Sequence, residues 1–430
     1  MHVVRQGERG RGRVGTGVLG FDPALLHAIA ERVGTPVYVY GASLIRAQYH
    51  ALDDALAGVP HRICYSVKAN GNLAVLRVLR GLGAGADIVS GGELRRALAA
   101  GFRPDAIVFS GVGKTRVEID EAVRVGVAAI NIESADEVEV VAAAAAAVGQ
   151  PVRVGIRANP DVATETHPYT KTGDKTAKFG VPYDEVMDVA RRIAGERRLA
   201  LRGLAMHIGS QITDAAPFHR GAVKLVELVT AMRASGIDTL ETLDVGGGLG
   251  VRYHNEKIPP LKEFVDAVLP AARQVGLTLL CEPGRFLVAN AGVLLTRVLY
   301  RKHAGGRDYV IVDAGMTDFV RPSHYNAHHD IVPIRNGGRP GEVVNVVGPI
   351  CESGDFLALD RKLPAVQAGE YLAVLGAGAY GFVMSSTYNA RPRPPEVMVE
   401  GDRYYIARPR ETVEDLLRGE TADPTTWFQA

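Results

Sequence analysis

The sequence predicts an α/β protein: a (β/α)8 barrel of the TIM type, combined with a mostly antiparallel β domain of sandwich or barrel form. Two observations lead to this prediction. From residue 62 onwards, eight short apolar runs rich in β-branched residues alternate with stretches of helical period. After about residue 290, short runs follow one another closely between glycines and prolines, and long helical periodicity is nearly absent.

The eight runs are predicted to be parallel strands, because a helical crossover is the connection that a parallel pair requires. Eight such strands are the number that closes a barrel. The predicted strands are Arg62–Val67, Ala86–Val89, Ala106–Phe109, Ala128–Ile132, Val152–Ile156, Gly203–Ile208, Thr242–Val245 and Thr278–Cys281. The clearest helical segments are Leu73–Leu82, Gly92–Ala100, Ala135–Val148 and Pro217–Ala234.

The expected domain boundaries are placed where the sequence pattern changes from alternating strands and helices to closely spaced short strands. The barrel is predicted over residues 44–290, and the β domain over residues 16–43 together with 291–430. The N-terminal segment is assigned to the β domain because Thr35–Tyr40 has a strand pattern and chain termini often lie close together. Residues 1–15 are predicted to form a flexible tail. Later strands are predicted at Gly292–Leu299, Tyr309–Val312, Glu342–Val347 and Tyr371–Val374.

Composition and charge exclude several function classes. The chain has 49 Lys and Arg against 48 Asp and Glu, so a strongly basic nucleic-acid binder is excluded. No apolar stretch approaches the roughly 20 residues of a membrane helix, and the N-terminus lacks the apolar segment of a secretion signal. A cytoplasmic protein without a membrane partner is expected. The three cysteines, Cys64, Cys281 and Cys351, lack CxxC pairing, so neither a disulfide framework nor a zinc site is expected.

Polar residues follow nearly every predicted barrel strand. In such barrels the catalytic groups lie at the C-terminal ends of the strands, so a ring of polar residues there predicts a site. These residues are Lys68, Asp87, Ser90, Asn131, Glu133, Asn159, His207, Asp244, the glycines 246–248, and the segment Glu282–Arg285.

Lys68 is the candidate nucleophile, because a lysine desolvated at the barrel mouth loses its proton and can attack a carbonyl carbon. A loop lysine at the surface is the alternative. The glycine-rich turn at 246–250 lets backbone N–H groups approach an anion, and this fold commonly binds phosphate after its seventh and eighth strands. A lysine facing two phosphate loops suggests a phosphorylated aldehyde cofactor, pyridoxal 5'-phosphate (PLP).

Glu282 and His207 each have two interpretations. A carboxylate against the pyridine nitrogen would keep it protonated, which makes the ring an electron sink for the carbanion left by loss of CO2. The alternative for Glu282 is a salt bridge with Arg285. His207 either stacks on the cofactor ring or is a core histidine.

Six segments resemble, in order, the motifs of the diaminopimelate decarboxylases, in the alanine racemase-like, fold-type III class of PLP enzymes. They are YSVKAN, HIGSQI, GGGLG, CEPGR, CESGD and LGAGAYGFVMSSTYNARPRP, and the resemblance spans about residues 16–420. It implies that Lys68 carries the cofactor. The other cofactor contacts are expected at Asp87, His207, Ser210, Gly247, Gly248, Glu282, Pro283, Gly284, Arg285 and Tyr380.

The resemblance also implies the reaction, decarboxylation of meso-2,6-diaminopimelate to L-lysine and CO2 as the last step of lysine biosynthesis. This substrate has an amino acid head at each end, so the distal carboxylate and ammonium must be bound as well. Family members are homodimers with shared active sites, so the partner chain would supply Cys351 and Glu352. Cys351 is the second catalytic residue and protonates Cα. Substrate contacts are expected at Arg285, Arg321, Tyr325, Glu352 and Tyr380.

Three alternative functions remain open. A decarboxylase of ornithine, arginine or another basic amino acid needs no arginine for a distal carboxylate, so Arg321 is the discriminating residue. An amino acid racemase is disfavoured by Glu282. A silent PLP-binding regulatory protein is disfavoured by the presence of both Lys68 and Cys351.

Three further features carry expectations of their own. The loop Asp161–Gly180 is either a lid over the site or a passive surface loop. His324 and His328, followed by His329, have the i, i+4 spacing of metal ligands on a helix face, but the HExxH pattern is absent and no metal is expected. Cys64 and Cys281 are expected to be buried, inert thiols.

Overall fold

The computed structural model describes residues 20–164, 167, 169, 172–335 and 338–420, so the predicted tail at 1–15 lies outside the described residues. The strands of this part of the chain are β1 Val37–Gly41, β2 His61–Ser66, β3 Gly85–Ile88, β4 Ile107–Phe109, β5 Ala129–Ile132, β6 Val152–Asn159, β7 Val181–Pro182, β8 Leu199–Ala205, β9 Thr242–Asp244, β10 Thr278–Cys281, β11 Gly292–Ala304, β12 Arg307–Val312, β13 Ile331–Pro333, β14 Gly341–Val347, β15 Phe356–Pro364, β16 Tyr371–Val374, β17 Glu396–Glu400 and β18 Arg403–Arg408.

Several of the α-helices begin at a residue whose side chain caps the helix. Asp22 caps the first helix ahead of Pro23, and Thr115 with Glu118 forms a capping box at the fifth. The helices are α1 Pro23–Val33, α2 Ala42–Leu56, α3 Leu73–Gly81, α4 Gly91–Ala99, α5 Arg116–Val125, α6 Ala135–Ala145, α7 Val186–Gly195, α8 Ala216–Ala234, α9 Leu261–Val275, α10 Arg285–Val288, α11 Arg321–Tyr325 and α12 Val413–Leu417. None of the helices in the described residues has the length and apolar character needed to cross a membrane.

Eight parallel strands close into a barrel in the order β5-β4-β3-β2-β10-β9-β8-β6, and pairing between β5 and β6 completes the ring. The strands are apolar along most of their length because both faces are covered, by the barrel interior and by the surrounding helices. In β2, for example, the last four residues, from Ile63 to Ser66, are all buried. The predicted (β/α)8 barrel is therefore confirmed.

One predicted barrel strand is displaced. The strand expected at Gly203–Ile208 runs from Leu199 to Ala205, so His207 follows the strand and does not end it. Beyond Ala205 the backbone turns towards the glycine-rich segment, where the amide of Ile212 donates to the carbonyl of Gly248 at 2.9 Å. His207 therefore lies on the connection that faces this segment.

The second sheet is mostly antiparallel, in the order β15-β14-β12-β11-β1-β17-β18, with β16 paired to both β11 and β13. Only two of its pairs in the described part of the chain are parallel, β1 with β17 and β12 with β14. The N-terminal strand β1 lies between β11 and β17, which joins the two ends of the chain in one sheet. The predicted second domain class is confirmed, and the boundaries at 44 and 290 remain a prediction.

Two segments of the β domain reach the barrel mouth. Asn70, just after β2, donates to the carbonyl of Gly378 at 3.0 Å, and the amide of Tyr380 donates to the carbonyl of Ala69 at 2.8 Å. The short helix α11 carries Arg321 with its side chain buried. These contacts bring residues distant in sequence to the strand ends.

Candidate active site

A cavity of about 570 Å³ lies where the barrel strands end and the β domain meets them. Seven predicted site residues line it: Lys68, His207, Ser210, Arg285, Arg321, Tyr325 and Tyr380. Two groups of buried charge border it. The carboxyl cluster is Asp87, Asp244 and Glu282, and the arginine cluster is Arg285 and Arg321.

Lys68 lies on a short 3-10 turn, Val67–Ala69, directly after β2. Its Nζ donates to the Oδ2 atom of the fully buried Asp87 at 2.6 Å and to the Ser66 hydroxyl at 3.3 Å. Burial lowers the pKa of Lys68, but the charges of Asp87 and Glu282 outweigh burial and raise it above its ordinary value. The prediction that desolvation deprotonates this lysine was wrong, because the strand ends beside it are acidic.

Asp244 ends β9, and Glu282 directly follows the neighbouring strand β10. Both side chains are buried. Burial, then the charges of Asp244 and Asp87, raise the pKa of Glu282 well above its usual range. Burial likewise raises the pKa of Asp244 to about 6. One oxygen on each of the three carboxyls has no hydrogen-bond partner among the described residues: Asp87 Oδ1, Asp244 Oδ2 and Glu282 Oε1.

The glycine-rich segment passes close to other backbone. A Cβ atom on Gly247 would lie 2.1 Å from the carbonyl oxygen of Glu282, and Gly248 has a φ of +101°. The amide of Gly247 donates to Nδ1 of His207 at 3.1 Å, so the proton of the neutral ring is on Nε2. Burial, with the charges of Arg157 and Lys68, holds the pKa of His207 well below its usual range. His207 is therefore a neutral ring at the cavity wall.

The arginine cluster is held by aromatic and hydroxyl groups. Arg285 donates to the Tyr253 hydroxyl at 2.8 Å and to the Ser210 hydroxyl at 3.1 Å, and its guanidinium lies 4.8 Å from the ring centre of Tyr380. The guanidinium of Arg321 lies 5.2 Å from the ring centre of Tyr253. Both arginines are about 5% exposed, and neither forms an ion pair with a carboxylate of the described residues. The cluster is a buried double positive charge facing a cavity.

The comparisons with known proteins identify the family. The family model "Pyridoxal-dependent decarboxylase, pyridoxal binding domain" matches residues 42–289. A diaminopimelate decarboxylase of Pseudomonas aeruginosa is 50% identical over 399 residues, which cover 93% of this chain and 96% of that protein. The chain belongs to the diaminopimelate decarboxylase family. The family resemblance and the prediction of a carboxy-lyase are thereby confirmed.

Solved structures agree with this assignment. The structure of diaminopimelate decarboxylase from Helicobacter pylori complexed with L-lysine matches with a TM-score of 0.88 at 40% identity, over 91% of this chain and 98% of that chain. A lysine/ornithine decarboxylase from Vibrio vulnificus complexed with putrescine matches with a TM-score of 0.78 at 23% identity, over 89% of this chain and 98% of that chain. The second likeness shows the shared fold alone.

Several residues that line the cavity were not predicted as site residues. Tyr253 touches both arginines, and it follows the glycine-rich segment by only a few positions. From the loop Asp161–Gly180, His167 lines the cavity and the Thr172 hydroxyl donates to the carbonyl of His207 at 2.8 Å. These two described residues of the loop therefore border the site, and the role of the loop as a lid remains a prediction.

Cys351 and Glu352 lie elsewhere. Both are exposed, and neither is among the described residues that line the cavity. The amide of Cys351 donates to the Asn389 side chain at 2.8 Å. Cys64 and Cys281 are fully buried, as expected of inert thiols.

The three histidines considered as metal ligands do not share a helix face. Helix α11 ends at Tyr325, so it carries His324 but not the other two. His328 hydrogen bonds to Asp330 and Arg361, and its ring stacks on that of His254 at 3.9 Å. His329 instead contacts Arg321, at 3.2 Å. The helical spacing that suggested a metal site is therefore not realised.

Proposed function

We propose that this chain decarboxylates meso-2,6-diaminopimelate to L-lysine and CO2, the last step of lysine biosynthesis, with PLP as its cofactor. The observation that carries the proposal is the cavity itself. Its lining combines Lys68, whose amine pairs with Asp87 of the carboxyl cluster, with two buried arginines that have no carboxylate partner among the described residues. Buried charge without a partner is costly, so a ligand with matching charges is expected there.

The residues present fit PLP. Lys68 offers a primary amine for its aldehyde, and the unpartnered Oε1 of Glu282 offers an acceptor for a protonated ring nitrogen. The phosphate is proposed to lie at the glycine-rich segment, where Gly247 and Gly248 have no room for a side chain, and near the hydroxyl of Ser210, which lines the cavity. The remaining residues proposed to hold the cofactor are Asp87, His207, Pro283, Gly284, Arg285 and Tyr380. When bound, PLP supplies an electron sink for the carbanion that loss of CO2 leaves.

The buried charges around Lys68 and Glu282 affect where protons are held in the carboxyl cluster. Asp87 holds Lys68 in its charged form, so the amine must release a proton before it bonds a carbonyl carbon. Burial and the neighbouring carboxyls of Asp244 and Asp87 raise the pKa of Glu282 well above its usual range, so this carboxyl holds its proton more strongly than an exposed glutamate does. Beside the ring nitrogen of bound PLP, Glu282 would give up this proton to the nitrogen and, as a carboxylate, would keep the nitrogen protonated.

The two buried arginines are proposed to bind the far end of the substrate. The guanidinium forks of Arg321 and Arg285 suit a distal carboxylate, whose charge would also compensate theirs. Tyr325 and Tyr380 line the same cavity and complete the pocket around the chain of the substrate. Ornithine has no distal carboxylate, which is why this cluster favours diaminopimelate.

The proposal includes a homodimer. Cys351 and Glu352 are exposed in their own chain and lie outside its cavity, which supports their delivery to the cavity of a partner chain. There Cys351 donates the proton that Cα takes up after decarboxylation, and Glu352 pairs with the distal ammonium. A cytoplasmic location remains a prediction from the sequence.

The test is CO2 release by the purified protein with added PLP, offered meso-diaminopimelate, ornithine and arginine in parallel. We expect release from meso-diaminopimelate alone, with L-lysine as the product. Release only from ornithine or arginine would mean that the substrate is a different amino acid, while the fold and cofactor assignments would stand. No release from any of them would favour the silent regulatory alternative.

A further inference from the structure

His329 is the direct support of Arg321. It is 0% exposed and lies between the rings of Phe319 and Tyr253, whose centres are 4.6 and 4.8 Å away. Its Nδ1 lies 2.8 Å from the carbonyl oxygen of Leu375, and its Nε2 lies 3.2 Å from Nε of Arg321. The histidine therefore connects α11 to the residue that follows β16.

The two partners fix the tautomer of His329. A carbonyl oxygen only accepts, so Nδ1 must carry the proton. In a neutral ring, Nε2 is then an acceptor, which is what the Nε–H of an arginine requires. Neutrality is consistent with the low pKa that burial and the charges of Arg321 and Arg285 impose on this ring. Every polar atom of the side chain has a defined role.

The hydrogen bond between Arg321 and His329 determines which N–H groups of Arg321 remain to bind a ligand in the cavity. Its Nε–H is committed to His329, while its two terminal nitrogens have no hydrogen-bond partner among the described residues. A guanidinium is planar, so fixing Nε and stacking the group near Tyr253 restricts the plane in which the terminal nitrogens lie. Two parallel N–H groups in a fixed plane suit a carboxylate.

We propose that His329 is a positioning residue that orients Arg321 and so selects ligands with a carboxylate at the end remote from the reacting carbon. The inference rests on the proposed function, because it presumes that Arg321 binds this distal carboxylate. His329 itself touches no substrate in this account. It acts through the guanidinium.

The test compares two variants of the PLP-loaded enzyme, His329→Gln and His329→Met, which have similar length and shape. The Gln side-chain oxygen can accept from Arg321, whereas the Met thioether is a weak acceptor at best. The probes are L-lysine and cadaverine, which are identical except for the carboxylate of lysine. Binding is followed by the absorbance of the cofactor.

We expect His329→Met to raise the dissociation constant of L-lysine about 10-fold, the effect of leaving a buried charged donor without its partner, and to change that of cadaverine less than about 2-fold. His329→Gln should restore L-lysine binding to within about 3-fold of the natural protein. Equal weakening of both ligands, or no difference between Met and Gln, would overturn the proposal.

The unsubstituted enzyme separates this inference from the proposed function. If it binds cadaverine as tightly as L-lysine, the distal carboxylate site itself is wrong, whatever the variants do. If neither variant folds, nitrogen NMR of the histidine rings in the unsubstituted holoenzyme still decides. A neutral ring protonated on Nδ1 supports the proposal, and a ring protonated on Nε2 or on both nitrogens contradicts it.

Discussion

The two charged clusters of the cavity are built in different ways. The carboxyl cluster comes entirely from the barrel strands, on β3, at the end of β9 and just after β10, and Lys68 forms an ion pair with one of its carboxyls, Asp87. The arginine cluster combines the barrel residue Arg285 with Arg321 of α11, and it is held by tyrosines, a serine and a histidine. Two of the three carboxyls and both arginines have no ion-pair partner among the described residues. In the proposed function, the barrel would supply the reacting groups, and the β domain would add a residue that selects the substrate.

Removal of Lys68 should have the largest effect. We expect Lys68→Ala to lower the rate of CO2 release from meso-diaminopimelate by about 10⁴-fold or more, because no other amine of the described residues lies at the carboxyl cluster. Lys262→Ala is the control, since that lysine pairs with Asp266 on the surface. A Lys68→Ala enzyme with more than a tenth of the normal rate would contradict the assignment.

The second-largest effect on the rate is expected for loss of Cys351, the residue proposed to act across the dimer. Cys351→Ala alone should lower kcat about 10²- to 10³-fold, as expected for loss of a proton donor. When Cys351→Ala and Lys68→Ala chains are unfolded together and refolded, about a quarter of the normal activity should return, because half of the dimers are mixed and each mixed dimer has one intact site. Mixtures that stay as inactive as the separate variants would show that Cys351 acts within its own chain or not at all.

The arginine cluster is tested by Arg321→Met. Loss of a charged, bidentate contact should lower kcat/KM for meso-diaminopimelate about 100-fold, mostly through KM. Arg301→Met is the matched control, because Arg301 pairs with Glu342 away from the cavity. If both variants change KM equally, recognition of the distal carboxylate by Arg321 is wrong.

The smallest effect is on stability and concerns the carboxyl cluster without cofactor. Burial raises the pKa of Asp244 to about 6, so its ionisation destabilises the folded state as pH rises above the unfolded value of about 4. Asp244→Asn should therefore increase the free energy of unfolding of the cofactor-free protein by about 1 to 2 kcal/mol at pH 7.5. The gain should vanish near pH 3.5, where the aspartate is protonated in both states.

Urea titrations at the two pH values check this prediction. Asp238→Asn, on a surface turn, serves as the control and should change the free energy of unfolding at neither pH. A gain of equal size at both pH values would point to packing and not to the ionisation of Asp244.

The sequence predicts the carboxyl cluster better than the arginine cluster. Parallel strands carry their C-terminal residues to one edge, so Lys68, Asp87 and Glu282 could be placed together from strand order alone. The sign of the Lys68 pKa shift could not, because it depends on distances to Asp87 and Glu282 that a pattern does not give. The eighth strand of the barrel, Thr278–Cys281, and the four helices named from the sequence were predicted to within a few residues.

The support of the arginine cluster depends on tertiary contacts. Tyr253 lies on an irregular segment after the glycines, and His329 meets Arg321 only because the chain turns after α11. Their spacing has no period that predicts a contact. Arg321, Tyr325, Cys351 and Glu352 were identified only through the family resemblance, and their roles remain proposals.

The most direct test of this account is a crystal structure of the PLP-loaded enzyme with L-lysine. We expect the lysine carboxylate to lie within hydrogen-bond distance of Arg321 or Arg285, while its side-chain amine points to Lys68 and the carboxyl cluster. A lysine bound in the reverse direction, or arginines paired with protein carboxylates in place of the ligand, would contradict it.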